Sequence, residues 1–96
     1  MPYIKPVRRK VVDPHIDNLS IHINTPGELN YAISKLCHVH LINNSLNYTD
    51  INATIGVLEC AKLELYRMIA VPYEDKKKML SGSVSDLDAP DMEDVR

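Results

Sequence analysis

Phenylalanine and tryptophan are absent from the 96 residues, and glycine occurs three times. With tyrosine the only aromatic residue, any core has to be built from Ile, Leu, Val and Met. Scarce glycine excludes a Gly-rich phosphate loop. Charge of one sign is also missing: 11 Lys+Arg stand against 13 Asp+Glu, a net −2. That balance removes bulk attraction to nucleic acid or to an anionic membrane. No run approaches the roughly eighteen apolar residues that a spanning helix needs. The opening Met1-Pro2-Tyr3-Ile4-Lys5-Pro6 has no apolar signal core, so the chain is expected to stay in a reducing cytoplasm. Cys37 and Cys60 are then free thiols, read as small core residues rather than a disulfide. The Asn-x-Ser/Thr matches at Asn18, Asn43, Asn47 and Asn52 carry no information there.

The charges that are present are unevenly spread. Residues 1–12 hold Lys5, Arg8, Arg9 and Lys10 and no acid, a basic N-terminal arm. Residues 83–96 hold Asp86, Asp88, Asp91, Glu93 and Asp94 against Arg96, and begin among Ser and Gly. Such a stretch has little to bury and reads as a disordered acidic tail. Residues 13–82 between them are nearly balanced and form the helical domain.

Helix signals divide that domain. Asp13-Pro14 is read as the first start, Asp at the N-cap and Pro at N1, with Ile16, Leu19 and Ile23 on one stripe and Asn24 as its end. Thr25-Pro26-Gly27-Glu28 is a capping box. Leu29, Ala32, Ile33, Leu36, Cys37, Val39 and His40 follow it, and the helix runs out at Asn43-Asn44-Ser45. Asn47 with Asp50 caps a third helix that runs to about Val71. Its main stripe is Ile51, Ile55, Leu58, Ala61, Leu65 and Ile69; its reverse carries Ala53, Gly56, Cys60, Leu63 and Ala70, so it packs on two sides. Pro72 breaks it, a short helix restarts over 73–80, and Gly82 stops that one. The fold class is therefore all-α: a small three-helix bundle with a short fourth helix. A core of this size rarely supplies more than about 3–5 kcal/mol. Homo-oligomerisation is the expected completion, with Gly56, Cys60, Leu63 and Ala70 as the interface.

Catalytic and metal chemistry find little support. Cys37-His38-Val39-His40 holds three ligand types, but on a helix His38 and His40 point roughly 160° apart. His40 falls in the apolar stripe and reads as a hydrogen-bonded core residue. His15 and His22 sit two turns apart, roughly 10 Å along the axis. Glu59 and Glu64 near Cys60 raise rather than lower a thiol pKa, and no nucleophile elbow is present. The chain is read as a non-enzyme without catalytic residue, metal or cofactor.

Glu59, Lys62, Glu64 and Arg67 have the spacing of helix-surface ion pairs, although Lys62 intrudes on the apolar stripe. Tyr66 and Tyr73 are seven apart, which aligns them on an unbroken helix. Tyrosine beside Arg or Lys suits a base and its phosphates, since the ring stacks while the cation meets the charge. Tyrosine equally fills a wet subunit interface. The candidate ligand-binding set is Tyr3, Arg8, Arg9, Lys62, Tyr66, Arg67, Tyr73, Lys76 and Lys77.

Several stretches carry a resemblance: Met1-Pro2-Tyr3-Ile4, Asp13-Pro14-His15-Ile16-Asp17, Gly27-Glu28-Leu29-Asn30-Tyr31, the run Ile55-Gly56-Val57-Leu58-Glu59-Cys60-Ala61-Lys62-Leu63-Glu64-Leu65-Tyr66-Arg67, and Pro72-Tyr73-Glu74-Asp75-Lys76-Lys77. Over about residues 1–80 the chain resembles a family of short helical proteins of tailed bacteriophages and prophages, mostly without assigned function. Met68 stands where a second arginine is expected, and the acidic tail is longer than the family's ending. The resemblance implies a setting, phage infection in the host bacterial cytoplasm, and no catalytic residue.

Two functions fit that setting. One is a helical homo-oligomer, non-enzymatic, that binds an anionic ligand or a host protein, as in sequestering a nucleotide signal against host defence. The other is a virion component whose arm and tail order against neighbouring subunits. Neither needs a membrane, and a nucleic-acid partner fits a net −2 chain poorly.

Overall fold

The computed structural model describes residues 2–89, and the described elements are helical: α1 Pro6–Ser20, α2 Pro26–Asn44, α3 Tyr48–Leu65, a π-helical turn Tyr66–Ala70, α4 Val71–Ser81 and a 3-10 turn Asp86–Asp88. The all-α reading holds, with three helices and a short fourth. The chain divides into two units, Met1–Ala61 and Lys62–Arg96.

In the first unit, α1 starts one proline earlier than the sequence suggests. Lys5 is the extended N-cap, Pro6 supplies the first turn, and Pro14 lies inside the helix. Asp13 before Pro14 is able to cap and Lys5 before Pro6 is not, yet each proline fits N1; Pro6 takes that place although Pro14 then forfeits an internal hydrogen bond. The supposed basic arm is thus the first two turns of α1 from residue 6 onward. Arg9 Nε donates to the Ile4 carbonyl at 2.8 Å and ties the preceding extended residues to the helix. The helix ends at Ser20, ahead of Asn24, because the Ile21–Asn24 turn leads straight into the cap of α2.

That cap forms as its residues dictate. The Glu28 amide donates to Thr25 Oγ1 at 3.1 Å, while Glu28 Oε1 accepts from the amides of Asn24 at 2.8 Å and Thr25 at 3.1 Å. At the other end, Asn44 Nδ2 donates to the His40 carbonyl at 2.8 Å, satisfying one of the helix's last acceptors. Asn47 then caps α3 by accepting the Asp50 amide at 2.8 Å.

Among the described residues none is buried, and α1, α2 and α3 do not run side by side within the first unit. Ile23 and Ala32 are half-buried near the α1–α2 elbow, Cys37, Leu41, Ile51 and Thr54 near the α2–α3 elbow, and Val12 within α1. Cys60 is exposed and Cys37 only partly covered, so neither thiol is a core residue. His40 is exposed too, with Asn44 Nδ2 3.4 Å from its Nδ1. A helical face becomes a core only when something covers it.

In the second unit Pro72 does not break the helix. A π turn precedes it, and the Val71 amide bonds to the Tyr66 carbonyl five residues back. The wider turn absorbs the proline's clash and lost donor, so α4 continues to Ser81. Gly82, at φ +89°, then terminates α4 with its amide on the Lys78 carbonyl at 2.7 Å. In residues 83–89 of the acidic tail a capped turn forms: Ser85 Oγ accepts from the Leu87 amide, and Asp88 accepts from the Ser85 amide at 2.9 Å and the Val84 amide at 3.2 Å. The rest of that tail lies outside the described residues.

Candidate functional site

The nine ligand-binding candidates fall in different units. Tyr3, Arg8 and Arg9 belong to the first, and Lys62, Tyr66, Arg67, Tyr73, Lys76 and Lys77 to the second; all are exposed. Arg9 spends one donor on the Ile4 carbonyl. Arg67 pairs with Glu64 at 3.7 Å, one helical turn back. The spacing of ordinary surface pairs therefore accounts for Arg67.

The π turn changes which of the others meet. One extra residue in a turn rotates everything downstream by roughly 100°, so Tyr73 leaves the line of Tyr66. Tyr66 instead shares a cleft of about 490 Å³ with Lys77, Lys78, Glu74, Asp75 and Asp88. Tyr73 sits under the Lys77 ammonium, 5.6 Å from the ring centre, within reach of a cation–π attraction. Lys76 and Arg67 do not line that cleft. Its charges are mixed: three carboxylates face two lysines, and Lys78 Nζ is already 3.8 Å from Asp88 Oδ2. The backbone amides of Ser85 and Val84, and then the Lys78 charge, hold the Asp88 carboxyl below its ordinary value. A free anion would meet this wall of carboxylate first.

The concave surfaces of the first unit are apolar, and sequence reasoning did not find them. A groove of about 550 Å³ runs past Leu19, Ile23, Gly27, Tyr31, Ala32 and Leu36 at the α1–α2 elbow. A second, of about 390 Å³, lies against the same Leu19, Ile23, Ala32 and Leu36 and reaches Ile16 and Ile33. A third, of about 500 Å³, joins Cys37, His40 and Leu41 of α2 to Ala53, Thr54 and Val57 of α3. The signal was present in the stripes of Ile16, Leu19 and Ile23 and of Leu29, Ala32 and Leu36, which were assigned to an internal core.

The proposed interface residues are divided as well: Gly56 and Cys60 lie in the first unit, Leu63 and Ala70 in the second. A Cβ built on Gly56 would meet no atom within 4 Å. Among the described residues no group of three or more His, Cys, Asp or Glu is placed to hold a metal ion, and no helix is long and apolar enough to cross a membrane.

A family model matches residues 1–84, which takes in α1 through α4 and both sets of candidate residues. The chain belongs to the family described as Domain of unknown function (DUF6899). No curated protein and no solved structure matches it. The DUF6899 match stops just after Gly82 has ended α4, so the Ser85–Asp88 turn and its carboxylate lie beyond it. In this DUF6899 chain, the acidic wall of the second-unit cleft is thus completed by residues outside the matched stretch.

Proposed function

We propose that this DUF6899 protein is a non-enzymatic accessory protein of bacteriophage type, a helical homo-oligomer that works by binding in the host cytoplasm. The observation that supports it is the absence of any buried residue among those described. Folded chains of this length hold only a few kcal/mol in reserve even with a core. One without a core gains it by burying its apolar faces against other subunits, where ordering and association happen together.

Tyr66 with Lys77 offers a ring and a cation in one cleft, the pairing that suits a nucleotide. The carboxylates beside them repel the phosphates, so cations such as Arg8 from another copy have to complete an anionic site.

Native mass spectrometry of the protein purified from infected or nucleotide-rich cells tests both parts. An oligomer carrying a few hundred daltons of extra mass per site supports the sequestering reading and identifies the ligand. A ligand-free oligomer moves the function to a protein partner, with purified virions the first place to look. A monomer at all concentrations overturns the proposal.

A further inference from the structure

We propose that the α1–α2 elbow is the surface through which two copies of this chain pair, with α2 lying antiparallel to α2 about a two-fold axis between Tyr31 and Ala32. The inference rests on the homo-oligomer reading and names the surface that it leaves open. Four side chains, Leu19, Ile23, Ala32 and Leu36, line both grooves of the elbow and so form a ridge with a groove on each flank. A ridge between two grooves is self-complementary, because in a two-fold pair each copy's ridge enters the other's groove.

The register follows from α2 itself. An axis between positions 31 and 32 brings residue 28 opposite 35, both on the side of α2 that carries 31 and 32. Glu28 of one copy then faces Lys35 of the other. Both line the same groove. Glu28 and Lys35 are the only carboxylate and ammonium lining either groove, so the face is neutral and can meet itself without repulsion. Parallel pairing would set like charges level with each other.

The area to be covered is sufficient. Large apolar residues of the elbow are exposed from 38% at Val39 to 68% at Leu36. Covering half a dozen of them on each copy reaches the lower end of the area that specific pairs bury.

Analytical ultracentrifugation gives the test, with circular dichroism run on the same samples. Leu36→Asp is expected to weaken self-association at least about a hundredfold, since the two-fold places the change twice in the interface. Lys35→Glu, on an exposed position, sets two carboxylates together on each side and is expected to weaken it about tenfold. Should Leu36→Asp cost the chain its helix, cross-linking decides: Tyr31→Cys in a Cys37→Ser, Cys60→Ser background is expected to form disulfide-linked dimers on mild oxidation, and Glu59→Cys is not. If the parent chain associates while Lys35→Glu keeps its affinity and Tyr31→Cys associates without forming a disulfide-linked dimer, the elbow is refuted and the oligomer stands. If the parent chain never associates, both are refuted.

Discussion

Replacing Thr25 by Ala removes the acceptor of the Glu28 amide, a bond of 3.1 Å, at the start of α2. Loss of a side-chain N-cap costs about 1 kcal/mol. Glu28→Ala does different damage: it releases the Asn24 and Thr25 amides together from Oε1 and removes a negative charge from the helix N-terminus, a further contribution of about 0.3–1 kcal/mol. All these groups are exposed, so water replaces part of what is lost and neither substitution should exceed about 2 kcal/mol. The two side chains hold each other's backbone, so the double variant should lose less than the sum, with a coupling of about 0.5 kcal/mol. Thermal and urea melts followed by circular dichroism measure this, at one fixed protein concentration because association shifts the midpoint. For a chain of this length 1 kcal/mol corresponds to about 4–8 °C in Tm. Thr25→Ala and Glu28→Ala melting within 1 °C of the parent would refute the reasoning that this box fixes the elbow.

Three further outcomes follow from local geometry. Gly82→Ala places a Cβ at φ +89° and should cost about 1–3 kcal/mol, seen as faster amide exchange through the last turn of α4. Pro14→Ala restores a donor within α1 and should raise helicity and stabilise that helix by up to about 3 kcal/mol; unchanged helicity would mean that α1 does not run through Pro14. Asp88 is held below its ordinary pKa, so the stabilisation it gives its turn is present above the unfolded value and is lost as pH falls through the folded one. The Ser85 and Val84 amide resonances should therefore move together on acidification below about pH 4, and Asp88→Asn should abolish that shared titration.

What was legible in the sequence is what a residue does to its neighbours within a turn. Thr25 and Glu28, Asn47 and Asp50, and Gly82 each state a boundary whose hydrogen bonds span four residues or fewer. The Ser85 and Asp88 pair states one equally well and was lost beneath the acidic composition around it. Pro6 and Pro14 show the limit of local rules: both satisfy the N1 preference, and only the continuity of the backbone chooses between them. The π turn was hidden for a related reason. Nothing in Tyr66–Ala70 marks an extra residue per turn except the proline that follows, and a proline is as compatible with a break as with a bulge. Its consequence is that Tyr73 leaves the line of Tyr66 that an unbroken α-helix would keep.

The apolar stripes were legible as faces, and what covers them was not, because helix periodicity is the same whether the opposing surface belongs to the same chain or to another. The elbow shows why that difference matters for function. Its shape is set by bonds among Asn24, Thr25 and Glu28, which owe nothing to a hydrophobic interior. The turn can therefore form before a partner arrives, with Leu19 and Leu36 exposed and Ile23 and Ala32 half-buried between the two grooves. Preorganisation of this kind lowers the ordering cost of association. Under the proposed pairing, local caps would set the recognition surface while stability would come from the shared core, and the folded population would rise with chain concentration.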